Sequence, residues 1–91
     1  MVRVHIPSQL LQRTGRRRVV DVEGGTIRSV IEALERDYPG LLFNICRETG
    51  DLRPFVNVFL EGEDVRYLAG LETTVSSGDT VHIFHSVAGG S

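Results

Sequence analysis

The sequence predicts an α+β fold, a mixed sheet wrapped around one main helix. Three observations carry that expectation. β-Branched residues alternate with polar ones from residue 2, one stretch from residue 26 repeats its apolar residues at helical spacing, and two further β-rich runs follow at 54–62 and 80–85. A hairpin, then a helix with an apolar stripe, then more strands leaves that stripe a single sheet face to cover.

Each element has its own reason. In "VRVHI" (2–6) Val2, Val4 and Ile6 alternate with Arg3 and His5, the period of a strand with one buried face, and Pro7 ends it. "RRVVDVE" (17–23) is the second β-branched run. Between them Gly15, Arg16, Arg17 and Arg18 mark an expected hairpin tip, which makes the two strands antiparallel. Thr26, after Gly24 and Gly25, is placed as an N-cap; Ile27, Val30, Ile31 and Leu34 then line one helical face until Pro39 and Gly40 stop it. "LLFNIC" (41–46) reads as a short helical turn or apolar plug, and 47–53 as an exposed loop. "PFVNVFLEG" (54–62) is a strand with Val56, Val58 and Leu60 on one face and Phe55, Asn57 and Phe59 on the other. "EDVRYL" (63–68) is expected to be a short strand, 70–79 a tight connection, and "TVHIFH" (80–85) a last strand with Val81 and Ile83 inward. With that last strand beside the first in parallel, this is the β-grasp arrangement. The expected organisation is a β-grasp domain over 1–85 and a flexible tail over 86–91 carrying Gly-Gly.

Composition sets outer bounds. A chain of 91 residues, 41% hydrophobic, supports one modest core that buries roughly 60% of the unfolded surface. Ten basic against twelve acidic residues give a net charge of -2, so no bulk positive field draws it to nucleic acid or an anionic membrane. No apolar run approaches the roughly 20 residues that span a bilayer, and no basic segment followed by an apolar stretch opens the chain. A cytoplasmic protein without nucleic-acid or membrane partners is expected. Cys46 stands alone, so no internal disulfide forms; its plain reading is a small buried hydrophobe in a short helix.

The chain closes on "SVAGGS" (86–91), with a glycine pair where no further turn is needed. Glycine lacks a Cβ, so Gly89 and Gly90 can extend into a narrow enzyme groove and leave a carbonyl open to attack from either side. A free carboxylate is a poor electrophile. Transfer of AMP from ATP makes it a mixed anhydride, which a sulfur nucleophile can convert to a thiocarboxylate.

Residues 53–90, "RPFVNVFLEGEDVRYLAGLETTVSSGDTVHIFHSVAGG", resemble the carboxy-terminal half of the MoaD/ThiS/CysO sulfur-carrier proteins. The strand "FVNV", the following "EDVR", the "GLET" turn, the "GD" before the last strand and the "VAGG" end are similar to the CysO type in particular. The amino-terminal half fits more loosely. The resemblance implies a ubiquitin-like carrier, not an enzyme, with no bound cofactor: an E1-like enzyme uses ATP to adenylate Gly90, and sulfur is installed there as a thiocarboxylate. Val87, Ala88 and Gly89 then form the tail that reaches the enzymes. For the CysO branch it implies a sulfur-accepting synthase, a pyridoxal phosphate-dependent cysteine synthase, with a zinc metallopeptidase releasing the product. For the other branches the product is molybdopterin or thiazole. Ser91 departs from the pattern, because it must be removed before Gly90 can be activated. It is either a native one-residue extension trimmed by a metallopeptidase or a residue altered or retained in cloning; a vestigial Gly-Gly is the third reading.

Other candidates are weighed against plainer roles. His82 and His85 lie three apart on a strand and so face opposite ways, which with His5 argues against metal. "RTGRRR" (13–18) reads as a solvated basic loop or a docking element, and "EGGT" (23–26) as a helix-entry turn without a phosphate-loop signature. Phe55, Phe59 and Phe84 fall on the faces opposite the valines. Either residues 41–52 cover them, or they form an exposed patch, in which Phe59 and Phe84 dock partners. Three functional classes stand: a sulfur carrier, a ubiquitin-like modifier joined to lysines, and a β-grasp binding module without tail chemistry. No nucleophile, base and orienting residue occur as a set for catalysis by the chain itself.

Overall fold

In the computed structural model, which describes residues 1–86, β1 (Val2–His5) and β2 (Val19–Val22) pair antiparallel, with Val4 opposite Val20. β5 (Thr80–His85) lies parallel to β1, and β3 (Val56–Leu60) pairs antiparallel with β5, so Val58 faces Ile83. The two-residue β4 (Glu63–Asp64) closes the other edge, giving the order β2-β1-β5-β3-β4. Adjacent parallel strands cannot be joined by a tight turn. The long connection between β1 and β5 contains the helix α1 (Ile27–Asp37), which covers one sheet face.

α1 starts where the sequence says it should. Thr26 and Ser29 form a capping box: the Ser29 N–H donates to Thr26 Oγ1 at 3.1 Å, and the Thr26 N–H donates to Ser29 Oγ at 2.9 Å. Gly24 must be small, since a Cβ there would come within 2.9 Å of Ser29 Oγ, Val30 Cγ2 and the Val30 nitrogen. Ile27, Val30, Ile31 and Leu34 are buried against Val2, Val4, Val56, Val58, Val81 and Ile83 from the sheet. One core results, built by two periodicities meeting: every third or fourth residue of α1 and every second residue of the strands.

Three local expectations change. The β1–β2 connection is not a bare hairpin loop but a 3-10 helix, Ser8–Thr14, which carries Leu10 and Leu11 into the core. Gly15 and Arg16 follow it, both with positive φ, 61° and 66°. The turn is there, but it ends a helix that exists because two leucines need burial. The strand expected over 63–68 shortens to Glu63–Asp64 and gives way to a 3-10 turn, Val65–Tyr67; the Asp64 carboxylate accepts the Arg66 N–H at 2.9 Å, and Val65 turns into the core. Phe55, expected on the outer face, precedes β3 and packs against the edge of the core, 5.0 Å from His85.

The segment after α1 forms α2 (Leu41–Ile45), with Leu41 and Ile45 buried. No α2 residue caps its amino end. Glu35 of α1 does so instead, accepting the N–H of Leu42 at 2.8 Å and that of Gly40 at 3.1 Å. These two donors hold the Glu35 carboxyl below the usual carboxylate range. α2 is thereby placed on the helix side of the sheet, so residues 41–52 leave the opposite face open. Among the described residues, no helix is long and apolar enough to cross a membrane.

Candidate functional site

The open face of the sheet carries an aromatic strip whose members come from three strands. The register sets His5 beside His82, His82 beside Phe59, and Asn57 beside Phe84. The rings follow: His5 and His82 stack at 4.1 Å with an interplanar angle of 12°, and His82 and Phe84 lie parallel at 5.9 Å. Phe59 meets Phe84 edge to face at 5.4 Å. Val19 extends the strip on β2. Phe84 is 49% exposed, which decides that residues 41–52 do not cover it. Phe59 is half-buried beneath this ring cluster.

Burial, then the neighbouring His82 and Arg3, depress the His5 pKa below the ordinary histidine value, which favours the neutral ring in the stack. Sequence reasoning missed this pair. Its signal was the expected parallel pairing of the first and last strands, which sets residues 5 and 82 side by side once the register is known. His85 points to the other face, as its spacing from His82 requires. Among the described residues, no three His, Cys, Asp or Glu side chains gather as a metal site.

Cys46 is buried at the end of α2, and burial raises its thiol pKa. Arg28 pairs with Glu72 at 2.7 Å between partly exposed side chains, so the pair adds about 0–1 kcal/mol at most. Arg66 clamps the start of β3: its Nη2 donates to Val56 O at 2.6 Å, and its Nη1 reaches Asn57 Oδ1. The face that carries Asn57, Phe59 and Phe84 is thus held from its edge.

Ser86, the first residue beyond β5, donates its N–H to Phe55 O at 2.8 Å. The chain therefore leaves the sheet beside the β3 end of the strip. Val87, Ala88, Gly89, Gly90 and Ser91, the tail singled out in the sequence, lie outside the described residues.

Comparison with known proteins agrees with both the fold and the pattern of the carboxy-terminal half. The ThiS family model matches residues 4–90. The sulfur carrier protein CysO of Mycobacterium tuberculosis is 40% identical over 91 residues, covering 98% of each chain. The Amycolatopsis orientalis BexX/CysO complex contains a chain that superposes with a TM-score of 0.93 at 38% identity, over 99% of this chain and 100% of that one. Small archaeal modifier protein 3 of Haloferax volcanii is 38% identical over 68 residues, which is 75% of this chain and 73% of that protein. A β-grasp sheet, an "FVNV" strand, and a match running through the terminal glycines are properties of one group: the chain belongs to the ThiS family of ubiquitin-like sulfur-carrier proteins and is of the CysO type.

Proposed function

We propose that this chain carries sulfur on its own terminus and is a protein co-substrate, with Gly90 as the reactive residue. The observation that carries the reading is the family match over nearly the whole chain, ending at Gly90 and leaving Ser91 beyond it. Hydrolysis of the Gly90–Ser91 bond comes first. In an E1-like enzyme the freed Gly90 carboxylate attacks the α-phosphorus of ATP, pyrophosphate leaves, and the acyl adenylate forms. A sulfur nucleophile then displaces AMP, which departs with one carboxylate oxygen, and the thiocarboxylate remains. Its acceptor is a synthase, of the pyridoxal phosphate-dependent cysteine-forming kind, with a zinc metallopeptidase to release the product. All of this takes place in the cytoplasm. The CysO that occurs in a complex with BexX supports a carrier that works by docking a second protein.

The docking surface in this reading is the strip of Phe59 and Phe84, with Val87, Ala88 and Gly89 as the tether that delivers Gly90. Its test is by mass. A chain ending at Gly90, given ATP, a cognate E1-like enzyme and sulfide, should exchange one oxygen for one sulfur. The 91-residue chain should not, unless a peptidase is added. Gly90→Ala should react slowly, because the methyl group crowds the reacting carbonyl. Activation directly on the Ser91 carboxylate, or no thiocarboxylate from a trimmed chain with an active enzyme, would sink the mechanism.

The likeness to the Haloferax volcanii modifier favours a second reading, in which the activated Gly90 is joined to lysines of other proteins. Here composition restricts what can form. All ten of the chain's Lys and Arg residues are arginines, so the chain offers no lysine to its own activated tail. Conjugates would carry no lysine-linked chains of it, each copy being joined directly to a target. Isopeptide-linked adducts in extracts that express the Gly90-ended chain distinguish modifier from carrier.

A further inference from the structure

Away from the aromatic strip, on the helix side of the sheet, lies a cleft of about 470 Å³ that the sulfur-carrier reading does not use. Its polar wall comes from four separate places in the chain: Arg13 from the 3-10 helix, Asn44 from α2, Arg53 from the loop before β3, and His85 from the end of β5. Among the described residues, no carboxylate lines it. Glu35, which bonds the lining residue Gly40, is committed to the N–H groups of Gly40 and Leu42.

Arg53 is anchored there and Arg13 is exposed, and among the described residues neither is neutralised by an ion pair. Arg53 donates its Nε–H to Phe43 O at 2.5 Å, while its backbone N–H donates to Ile45 O, so the side chain is anchored to α2 at its neck and its Nη groups remain. Arg13 lies against Gly40, where a Cβ would stand 3.1 Å from Arg13 Nη1; the left-handed glycine makes the room. The ion pairs among the described residues are Arg3–Asp21 and Arg28–Glu72, and neither involves Arg13 or Arg53. His85 adds a third nitrogen group, and its buried Nδ1 has no hydrogen-bond partner among the described residues. Two guanidinium groups in one cleft repel each other unless an anion lies between them. A planar fork on each suits a charged oxygen ligand.

We propose that this cleft is a binding site for a tetrahedral oxyanion, a phosphate or sulfate group, held by Arg13 and Arg53 with His85 beside them. Donors arriving from separate elements match a group whose oxygens point in several directions better than they match a planar carboxylate. The ligand is either the free inorganic anion or the phosphoryl group of a nucleotide. The proposal does not rest on the tail chemistry, so it stands or falls separately from the carrier reading.

The test is titration of the full-length, isotope-labelled chain with inorganic phosphate, with sulfate and with AMP, against sodium chloride at matched ionic strength. The expected result is saturable shifts confined to the Arg13 and Arg53 side-chain N–H groups, the Asn44 amide and the His85 ring, absent with chloride. Arg13→Ala should weaken binding about ten-fold or more, the loss of a charge-assisted contact, with amide dispersion unchanged. Arg13→Gln, which keeps the alkyl stem, carries the same expectation if the alanine variant folds poorly. Tighter binding of AMP than of phosphate assigns the site to a nucleotide, and equal or weaker binding assigns it to the free anion; either ordering supports the cleft. Shifts reproduced by chloride, shifts lying outside the cleft, or unchanged affinity in both Arg13 variants would overturn it.

Discussion

Thr14 is a fully buried polar residue, and its hydroxyl lies 2.9 Å from Arg17 O and 3.2 Å from Leu11 O. It ties the last turn of the 3-10 helix to the chain that enters β2, where no sheet hydrogen bond is available. Thr14→Val preserves the shape and removes the donor; Leu11 O keeps the N–H of Arg16, so Arg17 O is the carbonyl that loses its partner. The expected cost is about 1 kcal/mol in a urea unfolding curve. A value near zero would mean that water replaces the hydroxyl. Cys46 makes the complementary case of a residue that matters by packing. Its burial and raised thiol pKa predict little labelling by a thiol reagent in the folded chain and rapid labelling in denaturant at the same pH. Equal rates would show that α2 opens readily.

At the scale of elements, the weak piece is α2. Five residues are too few to hold a helix by propensity, so its geometry depends on the Glu35 cap and on burial of Leu41 and Ile45. Glu35 has its folded-state pKa depressed by the two backbone donors. The stability it contributes is therefore present above the unfolded carboxylate pKa and is lost as pH falls through the lower, folded value. Glu35→Gln should melt earlier than the parent at neutral pH, with the difference shrinking as the pH falls through the lowered folded-state value. A difference that persists unchanged in acid would assign the effect to packing and not to charge.

At the scale of the molecule, the sheet has two faces with separate duties. One buries the α1 stripe, and the other presents rings to solvent. Phe84→Glu places a charge where the side chain is already half in water, so the fold should survive. If the strip is the docking surface, affinity for the E1-like enzyme should fall about ten-fold or more, because desolvated aromatic anchors carry much of an interface's energy. Phe59→Glu should weaken docking too, at a greater cost in stability, since that ring is half-buried. Loss of the folded state in Phe84→Glu would place the ring among the structural residues and defeat the patch.

The sequence by itself determined the order of elements, the start of α1 at Thr26 and the inward faces of β1, β3 and β5. These rest on local periodicity and on one side chain bonding to the next turn, which neighbouring residues decide among themselves. It also held the family pattern, because "FVNV", "EDVR" and "VAGG" are contiguous. Position 84 could be read as outward from alternation alone, but whether anything covered it could not. Tertiary structure decided that point by capping α2 from Glu35 and so placing residues 41–45 behind the sheet. It likewise turned 8–14 into a 3-10 helix, because Leu10 and Leu11 are buried by partners distant in sequence. The stacking of His5 on His82 and the meeting of Arg13, Arg53 and His85 in one cleft were equally out of reach. Each joins residues more than thirty positions apart, and only strand register and helix packing bring such residues together.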